Sequence, residues 1–193
     1  MRIVQVRHNG ETYTPVVTPT GQVLDRAQLE ALSVAQHMVG RVRRLRFTLI
    51  DECVLPGGGH LDFENWTRFE APTWLPLMFA DLDLPIGIVE GISPVAAGTI
   101  PGVVGRSLIA TARLHETRLA ALAWDAVQNA TWSGVCLEFT TDPRDGVGIT
   151  LDGFAKVHLG DVESNCCPGA IVRAAWEEPR PADGPCASRN ERA

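Results

Sequence analysis

The sequence predicts an α+β domain, mostly antiparallel and barrel-like, with two main helices. Three observations predict it. Short strand-like segments recur between Gly, Pro, Asn and Asp turns. Only two stretches carry helical periodicity. Those two stand apart instead of alternating with strands, as a βαβ repeat would require. The chain has 193 residues, 45% hydrophobic and 21% charged, enough for a core without disulfide or metal staples.

Ile3 to Val6 and Tyr13 to Val17 read as the first strands. Pro15 confines the second to an edge. A helix follows over Arg26 to Val39. Asp25 is its N-cap and Gln28 completes a capping box. Leu24 and Leu29 take the staple positions, Leu29, Leu32, Ala35 and Val39 form the apolar stripe, and Gly40 stops the helix. Leu45 to Ile50 reads as a strand. Pro56-Gly57-Gly58-Gly59 is a loop, with no Lys-Ser/Thr after it to make a phosphate cradle.

Leu84 to Ile92 is a buried strand by its branched apolar run, and Val103 to Leu114 is another. The second helix spans Arg118 to Ala130, with Leu119, Leu122, Ala123, Ala126, Val127 and Ala130 at helical spacing. Val135 to Thr140 alternates as a strand. Asp142-Pro143-Arg144-Asp145-Gly146 supplies a turn, and Val147 to Leu151 pairs back behind it. Phe154 to Val162 is a further strand. The domain reading is therefore N-terminal strands and helix over 1–44, a main domain over 45–176 and a disordered tail over 177–193 rich in Pro, Glu and Arg.

The net charge of −6 argues against nucleic acid as a partner. No apolar run is long enough for a membrane-spanning helix. Charge precedes any apolar segment at the N-terminus, so secretion is not expected. The basic patch at Arg41, Arg43, Arg44 and Arg46 reads as a solvated face. Five cysteines in a chain with no secretory signal predict no disulfide framework. Their spacing with the five histidines suggests no zinc site, and no cofactor is implied.

Candidate chemistry comes from strand alternation. Val135, Leu137 and Phe139 take one face of their strand, leaving Cys136 and Glu138 on the other. Val157 and Leu159 likewise leave Lys156 and His158 together. If the two strands are neighbours, Cys136 and His158 approach, and a thiolate beside an imidazolium is the form of a nucleophilic cysteine. The same pattern also suits a small buried cysteine and a solvated strand histidine.

Four segments extend this reading. Trp74 to Val89 contains Pro76-Leu77 and then Pro85-Ile86-Gly87. Leu108 to Thr117 precedes the second helix. That helix leads from Ala123 to Ala130 into Ser133-Gly134-Val135-Cys136-Leu137-Glu138-Phe139. Val157 to Ala170 ends in Cys167-Pro168-Gly169-Ala170. In order and spacing, over about residues 45 to 172, these segments resemble the tailed-phage prohead proteases, the capsid maturation enzymes related to herpesvirus assemblins. The resemblance implies an assemblin-like fold and hydrolysis of peptide bonds in scaffold or capsid protein. It also implies residence in the host cytoplasm or the assembling prohead. Self-association stays open.

The departures bear on activity. Carried over residue by residue, the family's nucleophilic serine falls on Cys136, its catalytic histidine on Ala80 and its third catalytic position near His158. In an active version Cys136 would attack the scissile carbonyl, His158 would deprotonate it, and backbone N–H groups would hold the oxyanion. His60 and Asp81 are the other candidates for a base, and a slip of the alignment would put Ser133 in the nucleophile position. A chain without the base can keep the fold and bind capsid protein without cutting it. An unrelated barrel-like binding domain is the remaining reading.

Overall fold

The computed structural model describes residues 22–34, 41–52, 75–138, 155–161 and 170–180 with their side chains, and the backbone of short strands at 2–3, 6–8, 11–13, 16–17, 140–141 and 149–150. Five short strands come first: β1 (Arg2–Ile3), β2 (Val6–His8), β3 (Glu11–Tyr13), β4 (Val16–Val17) and β5 (Val23–Leu24). β2 pairs with β3, and β4 pairs with both β1 and β5. Helix α1 (Arg26–Leu32) follows. The expected capping box is present: Asp25 Oδ1 accepts from Gln28 N–H at 2.8 Å, and Gln28 Oε1 accepts from Asp25 N–H at 2.9 Å. The helix expected as far as Val39 ends instead at Leu32, where Ser33 is the C-cap and its N–H donates to Leu29 O and Glu30 O; residues 35–40 lie outside the described residues.

The main sheet has seven strands in the order β10-β13-β7-β8-β9-β6-β14. They are β6 (Arg41–Asp51), β7 (Leu75–Phe79), β8 (Pro85–Val95), β9 (Ser107–Leu114), β10 (Gly134–Glu138), β13 (Lys156–Gly160) and β14 (Val172–Pro179). Between β10 and β13, β11 (Thr140–Thr141) pairs with β12 (Ile149–Thr150), the hairpin expected around the Asp-Pro turn. Helix α2 (Arg118–Gln128) is capped by Thr117, whose hydroxyl accepts from Ala120 N–H. Every pairing in the main sheet is antiparallel except β13 with β7.

The sheet curls into a half-barrel. Residues 170–172 draw its two edges together. Val135 N–H donates to Ala170 O, Val172 N–H to Ser133 O, and Thr48 N–H to Ile171 O. The concave face holds the core. Leu45, Phe47, Leu77, Phe79, Ile86, Ala110, Ala112, Val135, Val157 and Leu159 are buried there with Leu29 of α1 and Leu119, Ala123, Trp124 and Ala126 of α2. Trp132 packs edge-on to Phe79, with ring centroids 4.8 Å apart. A continuous apolar layer of this kind is the main stabilising term.

Residues 44 and 45 both lie in β6, and Leu24 and Leu29 belong to the same core cluster as the sheet. Glu177, Glu178 and Pro179, expected in the tail, are the last residues of β14, and residues 181–193 lie outside the described residues. The strand expected from Val103 begins at Ser107. Residues 96–106 form turns instead, with Gly98 and Gly102 at φ of 72° and 79°, values that suit glycine.

The basic patch also acquires partners. Glu177 lies opposite Arg43 in the β6–β14 ladder and accepts from both Arg41 and Arg43. Glu178 accepts from Arg44 Nε at 2.8 Å, and Arg44 also pairs with Glu90. Most of this face is thus neutralised within the sheet.

Candidate functional site

The candidate residues sit where β10, β13 and β7 run side by side. Backbone pairing sets the geometry. Cys136 lies directly across from His158, and Glu138 across from Lys156. Opposed residues in an antiparallel pair place their Cβ atoms about 4.5–5.5 Å apart on one face. Val135, Leu137, Val157 and Leu159 point into the core, so Cys136, Glu138, Lys156 and His158 share the outer face. The alternation read from the sequence carried the strand faces; their adjacency comes from the pairing of β10 with β13.

His158 is well covered, with 14% of its side chain exposed. Both ring nitrogens meet oxygen acceptors. Nδ1 donates to the carbonyl oxygen of Ala80 at 2.7 Å. Nε2 stands 3.1 Å from Glu138 Oε2 and donates to it when the ring carries its second proton. A general base needs a lone pair aimed at the nucleophile. In this arrangement neither nitrogen offers one to Cys136.

Ala80 ends β7 in a tight turn. Its φ is 49°, the left-handed region that a side chain normally avoids. Two hydrogen bonds hold it there: its N–H donates to Leu159 O at 2.9 Å, and its carbonyl accepts from His158. Ala80 therefore touches His158. The sequence reading put it close to Cys136, but β13 lies between β7 and β10. Asp81, weighed as a substitute base, is in the same turn and exposed; His60 lies outside the described residues. Ser133 precedes β10 and its carbonyl accepts from Val172 N–H.

Cys136 is disulfide-bonded, against the expectation of free thiols. The other four cysteines lie outside the described residues. A sulfur held in a disulfide is not a thiolate and cannot attack a carbonyl.

The chain matches no family model, no curated protein and no solved structure. The site is therefore read from its own geometry.

Charge around it is arranged in pairs. Lys156 Nζ lies 2.6 Å from Asp83 Oδ1. That hydrogen bond holds the Asp83 carboxyl below its ordinary range and raises the Lys156 ammonium. Together with Glu138 and His158 it forms a belt of two acids, one lysine and one imidazole outside the β10–β13–β7 junction. Among the described residues no group of three or more His, Cys, Asp or Glu side chains is disposed to hold a metal ion. Glu138 was noted in the sequence for its face alone. Its bond to His158 became visible only with the register, because positions 138 and 158 are diagonal neighbours across the pair.

Proposed function

We propose that this chain is a prohead-protease-like protein of phage capsid assembly that binds scaffold or capsid protein and, in its disulfide state, does not cut it. One observation carries the reading. The three positions aligned with the family's catalytic residues, Cys136, His158 and Ala80, fall on β10, β13 and the end of β7, three consecutive strands. His158, in the middle, bonds directly to Ala80. Four sequence segments aligned by chance have no reason to bring those positions together. An unrelated barrel is supported less well, since it was expected to keep Cys136 and His158 far apart.

The chemistry favours binding over hydrolysis. Acyl transfer needs a nucleophile, a base and an oxyanion site acting as a unit. Here the nucleophile position is a disulfide sulfur. The base position is alanine. The imidazole meets a backbone carbonyl and a carboxylate. Loss of one triad member costs on the order of 10⁴-fold or more in rate, and two positions are altered here.

A second reading, hydrolysis by the reduced protein, draws support from the Cys136–His158 register. One assay separates the two. The chain is co-expressed with a capsid protein encoded beside it, and the capsid-protein mass is followed with and without dithiothreitol, with Cys136→Ala as control. Co-purification with unchanged mass is expected. Cleavage that disappears in Cys136→Ala would establish the second reading, and neither binding nor cleavage would overturn both.

A further inference from the structure

Among the described residues four polar or charged side chains are buried: Thr48, Asp51, Ser107 and Thr117. Two of them have partners. Thr48 Oγ1 accepts from Arg173 Nε, and Thr117 Oγ1 accepts from Ala120 N–H. Asp51 Oδ1 and Ser107 Oγ meet no protein donor or acceptor, although Asp51 is only 9% exposed and Ser107 1%. The two are direct neighbours. Asp51 lies across from Ser107 where β6 ends and β9 begins, and Ile50 and Leu108 beside them belong to the core. Strand alternation therefore turns Asp51 and Ser107 together to the outer face. Arg106, next to Ser107 in the chain, is no partner for Asp51 Oδ1: its N–H and its Nε both donate to Glu52. Buried polar atoms left without a hydrogen bond are costly, so each calls for a partner.

We propose that Asp51 and Ser107 form an internal binding site for one water molecule, which bridges Oδ1 and Oγ and joins the end of β6 to the start of β9. Opposed residues of an antiparallel pair hold their Cβ atoms about 4.5–5.5 Å apart, yet these two oxygens do not bond to each other. A water spans such a pair. It donates to Oδ1, and it either donates to Oγ or accepts from the Ser107 hydroxyl. Two polar partners on one face meet the minimum that an internal water needs. The strand ends are pinned around it, since Glu52 N–H donates to Arg106 O at 3.0 Å. Trp132 Nε1, also buried without a partner, makes no such site. It is a single donor in the apolar core beside Phe79, and one partner does not hold a water there. The inference is independent of the assembly reading.

The test uses the full chain and the variant Ser107→Ala, which removes one oxygen and leaves the backbone ladder in place. Oxygen-17 relaxation dispersion of the solvent counts waters held inside the protein, and thermal unfolding reads stability. The variant should hold one long-lived water fewer than wild type and melt about 2–4 °C lower. A crystal structure of the wild-type chain should place a water within hydrogen-bond distance of both oxygens, and it gives an answer even if the variant does not fold. A variant at least as stable as wild type with unchanged dispersion would show two oxygens that simply lack partners. A lower melting temperature with unchanged dispersion would show a direct Ser107–Asp51 bond. Stabilisation by sodium or ammonium chloride over choline chloride at equal concentration, lost in Ser107→Ala, would show a cation in place of the water. Each of these three results overturns the proposal.

Discussion

His158 Nδ1 donates to the carbonyl oxygen of Ala80 at 2.7 Å, fastening β13 to the turn that closes β7. Ala80 also donates to Leu159 O, so residues 158 and 159 grip both backbone polar groups of one residue. The grip holds a non-glycine residue at φ of 49°. A histidine that serves a backbone carbonyl in this way is a structural clamp, and this is why the trio resembles a catalytic constellation in position more than in chemistry.

Substitutions at Ala80 should separate backbone strain from burial. The left-handed conformation costs an alanine about 1 kcal/mol. Its methyl is buried and contributes about 0.8 kcal/mol. Ala80→Gly should therefore leave stability within about 0.5 kcal/mol of wild type. Ala80→Val, branched at a positive φ in a closed space, should lose more than about 2 kcal/mol. Ala80→His should destabilise the fold instead of building a base. Urea denaturation of the three variants reads these differences; a stable Ala80→His protein with a faster-reacting thiol would contradict the argument.

Gly87 gives a second test of close packing. A Cβ there would lie 2.5 Å from the carbonyl oxygen of Arg113 and 3.2 Å from Leu114 Cα, both backbone atoms of the paired strand β9. Neither can rotate away. Gly87→Ala should cost about 1–3 kcal/mol and lower the melting temperature. Gly91→Ala, in the same strand with nothing within 4 Å of its added Cβ, should be mild.

The fold was legible where one face of an element is buried and the other is not. β10 and β13 alternate strictly, so their faces could be read directly, while the Cys136–His158 juxtaposition depended on the two strands being neighbours. β7 was not read as a strand, because Leu75-Pro76-Leu77-Met78-Phe79 is apolar throughout and contains proline, which normally argues against a central strand. The register explains the tolerance: the parallel ladder with β13 begins at Leu77, so Pro76 is not asked for a hydrogen bond there. β14 was hidden by its composition. Glu177, Glu178 and Pro179 look like a solvated tail until the arginines of β6 are placed opposite them. The Cys136 disulfide was missed because the lack of a secretory signal weighed against any disulfide.

His115 predicts a pH dependence near neutrality. Burial, helped by the Arg113 charge, pushes its imidazole below the ordinary histidine value of 6.5. The unfolded chain therefore binds a proton at this residue at higher pH than the folded chain. Its contribution is fully present above the unfolded value and is lost as pH falls from there through the lower folded value. Wild-type stability should decline on acidification below about pH 6.5, and His115→Gln should flatten that part of the profile. Unfolding free energies between neutral and mildly acidic pH measure it; an unchanged slope in the variant would remove His115 as the cause.

The β6–β14 edge predicts a separate acid limb. Hydrogen bonds from Arg41 and then Arg43 hold the Glu177 carboxyl below the ordinary glutamate range. Trp176 and then Arg44 do the same for Glu178. For an acid whose folded value is depressed, the stabilisation is present above its unfolded value and is lost as pH falls through the folded one. Both groups face solvent, so the effect is small and weakened by salt. The double variant Glu177→Gln, Glu178→Gln should be slightly less stable than wild type at neutral pH and converge with it at low pH. It should also lose part of the wild type's salt sensitivity. Ending the chain at Val172 instead removes Ala174, Ala175 and Trp176 from the ladder with β6 and strips cover from the core edge. That truncation should fail to fold cooperatively, whereas a chain ending at Arg180 keeps β14 and should melt like the full length. A melting temperature that fell equally in both truncations would show that the stabilising segment lies beyond β14.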